Sequence, residues 1–317
     1  MARTVAAAGA EPAASRWMVI GVTGMLGGEV VARLTARGVD PVTSGRAELD
    51  LTDPAAVADA VAGARADVVV NCAAWTAVDL AETEEAAALA VNGAGTDHLA
   101  RACAATDSRL LHVSTDYVFP GTPADHGRPY AEDARPAPRT AYGRTKLAGE
   151  RAVARHLPRT GAVVRTAWLY GRERGGFAHT MAGLAREPGR TVDVVDDQHG
   201  QPSWAPDVAD RLIALGTLPA DRAHGVFHAT GAGGTTWYEL AREVFRVTGH
   251  DPDRVRPIDS SRLDRPAVRP TWSVLGHDRW AAVGLPPMRP WRTALADALT
   301  DADPAAPDPR TRKAVET

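Results

Sequence analysis

The segment Trp17-Met18-Val19-Ile20-Gly21-Val22-Thr23-Gly24-Met25-Leu26-Gly27 decides the fold of this 317-residue chain. A short apolar run passes directly into a glycine-rich turn, and an amphipathic stretch to Gly38 follows, which predicts a strand, a turn and a helix. Gly21 and Gly24 would let a pyrophosphate approach the backbone amides, and Gly27 would let the helix pack on the strand. The spacing differs from the simplest dinucleotide-binding pattern, Gly-x-Gly-x-x-Gly, so a βα turn without a ligand stays an alternative.

Apolar runs of strand length alternate with helical stretches along most of the remaining chain. The alternation predicts an α/β fold with a Rossmann-like doubly wound parallel sheet and a smaller C-terminal α/β portion. The later strands of this sheet are predicted at 39–43, 67–71, 109–113, 161–166 and 191–195. Helices are predicted at 54–62 and at 81–105, the latter softly broken at Asn92-Gly93, and a scaffold strand and helix at Gly225–His228 and 238–247.

Composition and charge exclude several classes of partner. The net charge of −3 and the pI near 6.4 give no basic surface for nucleic acid or an anionic membrane, so we expect small molecules or other proteins as partners. No apolar run reaches the ~18–20 residues of a membrane span. Cys72 and Cys103 fit neither a disulfide framework nor a metal site, which favours a reducing cytoplasm. Residues 1–16 and 301–317 are predicted to be disordered tails.

Tyr142 and Lys146 stand four residues apart between the fourth and fifth predicted strands. Residues at this spacing share a helix face, so the ammonium would favour the phenolate and lower a pKa that starts near ~10. A phenol tuned in this way can exchange a proton with a substrate oxygen. Thr115 follows the fourth strand, and ligands of open α/β sheets bind at such carboxyl ends. We therefore expect phenol, hydroxyl and glycine turn to face one crevice, although the Tyr-Lys pair taken alone also suits a solvated helix face.

The quoted motifs together resemble a known enzyme superfamily. Four segments of the chain are similar to motifs of the extended short-chain dehydrogenase/reductase superfamily. They are Gly21-Val-Thr-Gly-Met-Leu-Gly27, Asn71-Cys-Ala-Ala-Trp-Thr-Ala-Val-Asp79, Ser114-Thr-Asp-Tyr-Val-Phe-Pro-Gly121 and Tyr142-Gly-Arg-Thr-Lys146. Arg165-Thr-Ala-Trp-Leu-Tyr-Gly171 and Asp196-Asp-Gln-His-Gly-Gln-Pro202 narrow the resemblance to the dTDP-4-dehydrorhamnose reductase family. This family reduces the 4-keto group of a nucleotide-linked 6-deoxyhexose with a nicotinamide cofactor. The resemblance implies that residues 17–170 mainly bind the dinucleotide and that 171–300 mainly bind the sugar nucleotide, with segments that return to the sheet.

The resemblance also implies a role for each matched residue. Thr115 would hold the keto oxygen, Tyr142 would donate the proton, and Lys146 would tune Tyr142 and bind the nicotinamide ribose. Asp116 and Trp168 would contact the sugar, although a strand-end cap and a core aromatic are the respective alternatives. The other implied cofactor contacts are Gly24, Met25 and Leu26 at the pyrophosphate, Asp50 and Leu51 at the adenine, and Ala74, Trp75 and Thr76 along the inner half of the cofactor.

The end of the second predicted strand, Thr43-Ser44-Gly45-Arg46, bears on the choice of cofactor. An acid at this place would bind the ribose 2′-hydroxyl of NAD and repel the 2′-phosphate of NADP, but none occurs before Glu48. Arg46 could instead form a bidentate contact with the extra phosphate. We expect a preference for NADPH with NADH tolerated, and the alternative is that Arg46 is a solvated loop residue.

The C-terminal third offers fewer signals. Arg265 and Arg269 lie on a proline-stiffened segment that suits a diphosphate clamp, although a surface turn explains them equally well. His224 and His228 have a spacing seen in zinc sites, but no second pair of ligands lies nearby, so we expect a structural role. No metal site is predicted, and a requirement for Mg²⁺ is left open.

Three functions remain compatible with the sequence. The leading one is NAD(P)H-dependent reduction of a dTDP-linked 4-keto-6-deoxyhexose, for rhamnose or for the deoxysugar of a natural product. The second is a sugar-nucleotide epimerase or dehydratase of the same superfamily, but dehydratases generally add acidic groups and Asp116-Tyr117 supplies only one. The third is a non-catalytic regulatory subunit that binds cofactor, against which the intact set of Thr115, Tyr142 and Lys146 argues. A homodimer is left open.

Overall fold

A computed structural model describes residues 15–171 and 176–300. Residues 1–14 and 301–317 lie outside the described residues, so the predicted disorder of the tails stays a prediction. Within the described residues, none of the helices has the length and apolar content needed to cross a bilayer.

The described strands fall into one large sheet and three small ones. They are β1 (Trp17–Ile20), β2 (Val42–Ser44), β3 (Val68–Asn71), β4 (Arg109–Thr115), β5 (Ala162–Thr166), β6 (Leu169–Tyr170), β7 (Val192–Val195), β8 (His199–Gly200), β9 (Ser203–Trp204), β10 (Gly225–His228), β11 (Thr235–Thr236) and β12 (Val255–Ile258). The large sheet is parallel throughout, in the order β10-β5-β4-β3-β1-β2. The small pairs are β6 with β9, β7 with β12, and β8 with β11.

Helices connect these strands in the order of a doubly wound fold. They are α1 (Met25–Ala36), α2 (Pro54–Ala64), α3 (Val78–Ala81), α4 (Glu85–Leu89), α5 (Gly95–Ala105), α6 (Ala141–His156), α7 (Phe177–Ala185), α8 (Ala205–Thr217), α9 (Trp237–Val247), α10 (Asp278–Ala282) and α11 (Trp291–Thr300). The strand order reverses between β1 and β3, and ligands of open α/β sheets bind at such a switch point. The predicted fold class is therefore confirmed, and the crevice lies where β1, β3 and β4 end.

Two of the predicted strands differ from the observed ones. The sixth strand of the large sheet was predicted at 191–195, but β7 pairs with β12 in a separate small sheet, and β10 occupies the sixth place. An apolar run cannot tell a strand of one sheet from a strand of another, which is why this prediction was wrong. The second strand begins at Val42 rather than at Val39, because the Val39 amide donates to Leu34 O and so completes the end of α1.

The large sheet is buried on both faces. Trp17 and Val19 point into one apolar layer with α1 and α8, whereas Met18 and Ile20 point into the other layer with α2 and α5. This two-sided burial explains why β3 reads as an unbroken apolar run rather than an alternating one. A third apolar cluster, built from α7, α9, α11 and the strands near them, forms the core of the C-terminal portion. The boundaries proposed at 170 and 300 stay predictions.

The softening predicted at Asn92-Gly93 is confirmed as a π-helical segment, Ala90–Ala94, between α4 and α5. The Asn92 side chain accepts from the Trp75 amide at 2.8 Å and donates to the carbonyl of Trp75 and to Thr145 Oγ1. A β-carbon on Gly149 of α6 would lie 2.4 Å from the Asn92 carbonyl oxygen. The irregular turn thus fits against α6 and fixes the loop that follows β3, as π-segments near functional sites often do.

Arg109, at the start of β4, ties the large sheet to the end of α8. Its side chain is buried and donates to the backbone carbonyls of Leu215, Gly216, Leu218 and Ala223. Carbonyls at a helix C-terminus lack partners within the helix and carry the negative end of its dipole. Burial lowers the pKa of Arg109 to about 10, which still leaves the guanidinium charged at neutral pH.

Replacing Arg109 by methionine should destabilise the fold by about 3 kcal/mol or more, because buried carbonyls would lose a charged donor. Arg101→Met is the matched control: its side chain is 64% exposed and its ion pair with Asp97 lies on one helix surface, so the loss should stay below ~1 kcal/mol. Urea unfolding of both variants measures the difference. Equal losses of unfolding free energy would contradict this role of Arg109.

Candidate active site

Helix α6 carries Tyr142 and Lys146 on one face and begins at a well-defined cap. Thr140 precedes the helix, and its hydroxyl accepts a hydrogen bond from the Gly143 amide at 3.0 Å. A β-carbon on Gly143 would lie 2.2 Å from the Tyr117 carbonyl oxygen, so the first turn packs directly on the loop after β4. Glu150 stands one further turn along the same face.

Glu150 fixes this helix to two strands of the sheet. Its Oε1 accepts from Ser114 Oγ at 2.6 Å and from Arg165 Nε at 2.9 Å, and its Oε2 accepts from the second guanidinium nitrogen at 2.7 Å. The side chains of Glu150 and Arg165 are only 6% and 3% exposed. A buried ion pair of this geometry restricts how α6 can sit on β4 and β5.

Thr115 and Tyr142 meet at the carboxyl end of β4. The Thr115 hydroxyl donates to Asp116 Oδ1 at 3.0 Å and accepts from the Tyr117 amide at 3.2 Å. The Thr115 side chain also lies close enough to the Tyr142 phenol to lower the pKa of this phenol. The edges of the Tyr117 and Tyr142 rings pack together with 5.6 Å between their centroids. The structure therefore brings the two predicted catalytic hydroxyls together, although their roles stay predictions.

The predicted lowering of the Tyr142 pKa is wrong for this structure. Burial raises that pKa to about 12, the Asp116 carboxylate acts in the same direction, and the nearby Thr115 hydroxyl opposes them. Lys146 Nζ does not reach the phenol, because it donates to the Val113 carbonyl at 2.7 Å and lies 3.4 Å from His112 Nε2. A raised pKa keeps the phenol protonated at neutral pH, which is the form that can give a proton to an alkoxide.

The glycine turn has the geometry that a pyrophosphate needs. Gly21 has a φ of +84°, and a β-carbon there would lie 2.5 Å from the Ala73 amide nitrogen. A β-carbon on Gly27 would lie 2.3 Å from the Gly21 carbonyl oxygen, so α1 approaches the turn closely. Gly24 precedes α1, and no side chain caps the first amides of this helix. Uncapped amides at a helix N-terminus suit a phosphate group, and Met25 and Leu26 lie in that first turn.

The other predicted cofactor residues lie along the same edge of the sheet, apart from the side chain of Leu51. Asp50 is exposed and binds Thr52, whereas the Leu51 side chain is buried in the apolar layer below α2. Ala74, Trp75 and Thr76 follow β3, and Trp75 packs in the same small cluster as Tyr142.

Arg46 and Glu48 both lie just beyond β2. Arg46 is exposed, and Glu48 Oε2 folds back to accept a hydrogen bond from the Gly45 amide at 2.8 Å. An acid therefore stands closer to the end of β2 than its place in the sequence suggests. The sequence alone did not reveal this contact, because the contact depends on the turn that follows the strand.

A cavity of about 300 Å³ opens beyond Asp116 and Tyr117 and is lined largely by the C-terminal portion. Trp168 lines this cavity. Its φ of +45° is a genuine outlier for a bulky residue, and such outliers cluster at functional sites. Its ring stacks on Trp237 with 3.7 Å between centroids, and Phe177 packs on the edge of Trp237. A β-carbon on Gly200 would lie 2.6 Å from the Trp168 ring, so the glycine makes room for it.

Sequence reasoning placed Asp116 and Trp168 in this site but missed Trp237, Phe177 and Ser273, which also line the cavity. Trp237 was passed over because the helix was predicted to begin at Tyr238. The cap at Thr236, whose hydroxyl accepts from the Glu239 amide at 3.1 Å, is the signal that could have placed Trp237 at the first turn. No sequence signal pointed to Ser273.

The two arginines of the predicted clamp differ in their surroundings. Both line the cavity, and Arg265 is exposed. Both terminal nitrogens of Arg269 bind the carboxylate of Asp79, at 2.8 and 2.7 Å. The Arg269–Asp79 pair joins α3 to the C-terminal portion. A contact of either arginine with a diphosphate stays a prediction.

The histidines with zinc-like spacing do not form a metal site. His228 is buried in β10, and its Nδ1 lies 3.0 Å from the Gly276 carbonyl oxygen. Within residues 15–171 and 176–300, no group of three or more His, Cys, Asp or Glu side chains is arranged to hold a metal ion.

The family model for the RmlD substrate binding domain matches residues 15–303. This chain belongs to that family. Its sequence is 56% identical to a dTDP-4-dehydrorhamnose reductase of Streptomyces griseus over 90% of this chain and 93% of that one. It is 50% identical to a dTDP-4-keto-6-deoxy-D-glucose reductase of Streptomyces niveus over 90% of this chain and 96% of that one. The family that the sequence motifs resembled is thereby confirmed.

A solved structure supports the same relationship. The crystal structure of dTDP-4-dehydrorhamnose reductase from Bacillus anthracis in complex with NADP superposes with a TM-score of 0.85. The two chains are 30% identical, and the match covers 91% of this chain and 99% of the other. The described part of this chain therefore has the same overall fold as that reductase.

Asp116 provides a test of the electrostatics of this RmlD-family site. Burial raises its pKa from 3.8 to about 6, against hydrogen bonds from Ser273 and Thr115 that lower it. The folded protein thus binds the proton more tightly than the unfolded chain, so the ionised carboxylate costs stability above pH 6 and this cost disappears below pH 4. As the pH rises from 4 to 7, the unfolding free energy of Asp116→Asn should increase by about 2–3 kcal/mol relative to that of the wild type, because the amide carries no charge to bury.

Chemical denaturation of Asp116→Asn across this pH range measures the gain. Asp59→Asn, at an exposed position on α2, is the control and should follow the wild type at every pH. A constant difference between Asp116→Asn and the wild type would contradict the raised pKa.

Proposed function

We propose that this chain catalyses the NADPH-dependent reduction of the 4-keto group of a dTDP-linked 4-keto-6-deoxyhexose. The observation that carries the proposal is the meeting of the Thr115 and Tyr142 hydroxyls at the switch-point edge of the sheet, between the uncapped N-terminus of α1 and the aromatic cavity. The named relatives, which are reductases of such sugars, support the substrate class. The NADP complex of the Bacillus anthracis structure supports the cofactor class.

The side chains of the crevice suit the two halves of a ketone reduction. A bound nicotinamide supplies the hydride. Thr115 positions the keto oxygen, and Tyr142, protonated at neutral pH, gives its proton to that oxygen as negative charge grows on it. Trp168 and Trp237 form an apolar wall for the deoxysugar, and Asp116 lies where it can accept hydrogen bonds from sugar hydroxyls. Donors that are already in position before the reaction lower the free-energy barrier of such a step.

The alternatives predict different products. An epimerase would return an isomer without net oxidation of the cofactor, and a regulatory subunit would oxidise none. Incubation with NADPH and dTDP-4-dehydro-L-rhamnose therefore distinguishes the three: continuous NADPH oxidation with a 4-hydroxy product is the expected result. No oxidation with any 4-keto sugar nucleotide would contradict the proposal. The cytoplasmic location stays a prediction, and a homodimer and a requirement for Mg²⁺ stay open.

Tyr142→Phe should lower turnover by roughly 10²–10⁴ while it leaves folding and NADPH binding nearly intact, because only the acidic proton is lost. Tyr117→Phe is the matched control, since its ring packs against that of Tyr142 and it also lines the cavity. This control should keep turnover within about tenfold of the wild type. A Tyr142→Phe enzyme within a few-fold of wild type would require another acid, and loss of activity in Tyr117→Phe would identify it.

The preference for NADPH rests on Arg46. Arg46→Ala should lower kcat/KM for NADPH by about 10- to 100-fold and leave the value for NADH nearly unchanged, because a charge-assisted contact with the 2′-phosphate is lost. Glu48→Gln is the matched control, because it removes the neighbouring charge that would repel this phosphate and should not weaken NADPH. A wild-type preference for NADH, or an equal effect of Arg46→Ala on both cofactors, would show that Arg46 points elsewhere.

A further inference from the structure

A buried chain of polar groups leads from the loop after β3 to Lys146. The Ala73 amide donates to Asn71 Oδ1 at 3.0 Å, and Asn71 Nδ2 lies 3.1 Å from His112 Nδ1. His112 Nε2 lies 3.4 Å from Lys146 Nζ. Asn71 and His112 are fully buried, and Lys146 is 2% exposed. Neither Asn71 nor His112 is among the residues predicted to act in the reaction.

The direction of each hydrogen bond in this chain is fixed by its first member. A backbone amide can only donate, so Asn71 must turn its carbonyl oxygen to Ala73 and its NH₂ group to His112. An amide NH₂ can also only donate, so His112 Nδ1 must accept and carries no proton. Burial keeps the pKa of His112 well below its ordinary value, so the ring is neutral. Its single proton therefore sits on Nε2, which faces Lys146.

An N–H group aimed at Nζ can be accepted only by the lone pair of an uncharged amine, whereas an ammonium would meet it donor to donor. Burial acts in the same sense and lowers the pKa of Lys146 to about 8. Two other titratable groups face Lys146: Glu150 on its own helix and Cys72 after β3, and both favour the charged form. Glu150 is already engaged by Ser114 and Arg165.

We propose that Asn71 and His112 are positioning residues that hold an N–H donor against Lys146 Nζ and thereby disfavour its ammonium form next to β4. The inference rests on the proposed function only in taking Lys146 as the partner of Tyr142. If these residues act in this way, Lys146 changes its charge near neutral pH. The ammonium form is then favoured when the side chain moves away from His112 and toward the crevice. The backbone amide of Ala73, three groups away, sets this behaviour.

Asn71→Asp is a nearly isosteric change that should reverse the direction of the hydrogen bonds between residue 71, His112 and Lys146. One carboxylate oxygen still accepts from Ala73, but the other now accepts from His112 Nδ1, which moves the ring proton away from Nε2. The Nε2 lone pair then accepts a hydrogen bond from the ammonium of Lys146. His112→Leu removes the ring, and the double variant Asn71→Asp with His112→Leu keeps only the through-space effect of the new charge.

The chain contains only two lysines, Lys146 and Lys313, so protein labelled with ¹³C at the lysine ε-carbon gives two signals that Lys146→Arg assigns. Titration of the Lys146 signal without cofactor or sugar should show that Asn71→Asp lowers the acid dissociation constant by about tenfold or more. The same substitution should have a clearly smaller effect in the His112→Leu background. An unchanged midpoint, or equal shifts in both backgrounds, would overturn the proposal.

A second measurement uses the unaltered protein, so it stands even if a variant fails to fold. ¹⁵N NMR of labelled histidine should find His112, the signal that is absent from His112→Gln or His112→Leu, protonated on Nε2 and bare on Nδ1 at neutral pH. The opposite tautomer would overturn the proposal. Because both measurements use the ligand-free protein, they can fail while the reductase assay succeeds, and the reverse.

Discussion

The buried carboxylate of Glu150 is the constraint on which the site depends. It is shared between Ser114 of β4 and Arg165 of β5, and a carboxylate in such surroundings is tolerated only when its hydrogen bonds are made. Tyr142, Lys146 and Glu150 follow one another at intervals of four residues on α6. Because Glu150 fixes the rotation of the helix, the other two must face the carboxyl ends of the central strands. The position of the phenol is thus set by a residue two turns away from it.

The same geometry explains why the site is suited to reduction. The phenol of Tyr142 is surrounded by the first turn of α6, Trp75 and Tyr117, and this burial keeps it protonated. A protonated phenol held near Thr115 is a store for the proton that an alkoxide takes up. The charge of Lys146, by contrast, is restrained by burial and by His112. Tyr142 and Lys146 thus stand on the same helix but are held in these states by different neighbours, the phenol by Trp75 and Tyr117 and the amine by His112.

The parts of the fold that follow from local chemistry could be predicted from the sequence. The glycine turn, the buried strand at Val68–Asn71 and the break at Asn92-Gly93 each follow from residue types a few positions apart. The parts that depend on distant contacts could not. The sheet to which 191–195 belongs, the fold-back of Glu48 and the stacking of Trp237 on Trp168 all need the tertiary structure. The prediction of a lowered pKa for Tyr142 was wrong for the same reason. Helix spacing indicates a neighbouring charge, but it does not indicate the burial that outweighs this charge.

The central claim is that this crevice delivers a hydride to C4 of a sugar nucleotide whose oxygen takes a proton from the protein. The most direct test uses NADPH that carries deuterium at C4 of the nicotinamide, prepared separately with the label on each face, and dTDP-4-dehydro-L-rhamnose as substrate. Proton NMR of the product should show loss of the H4 signal of the sugar with one of the two labelled cofactors. Protium at C4 with both cofactors, or deuterium at C3 or C5, would contradict the account.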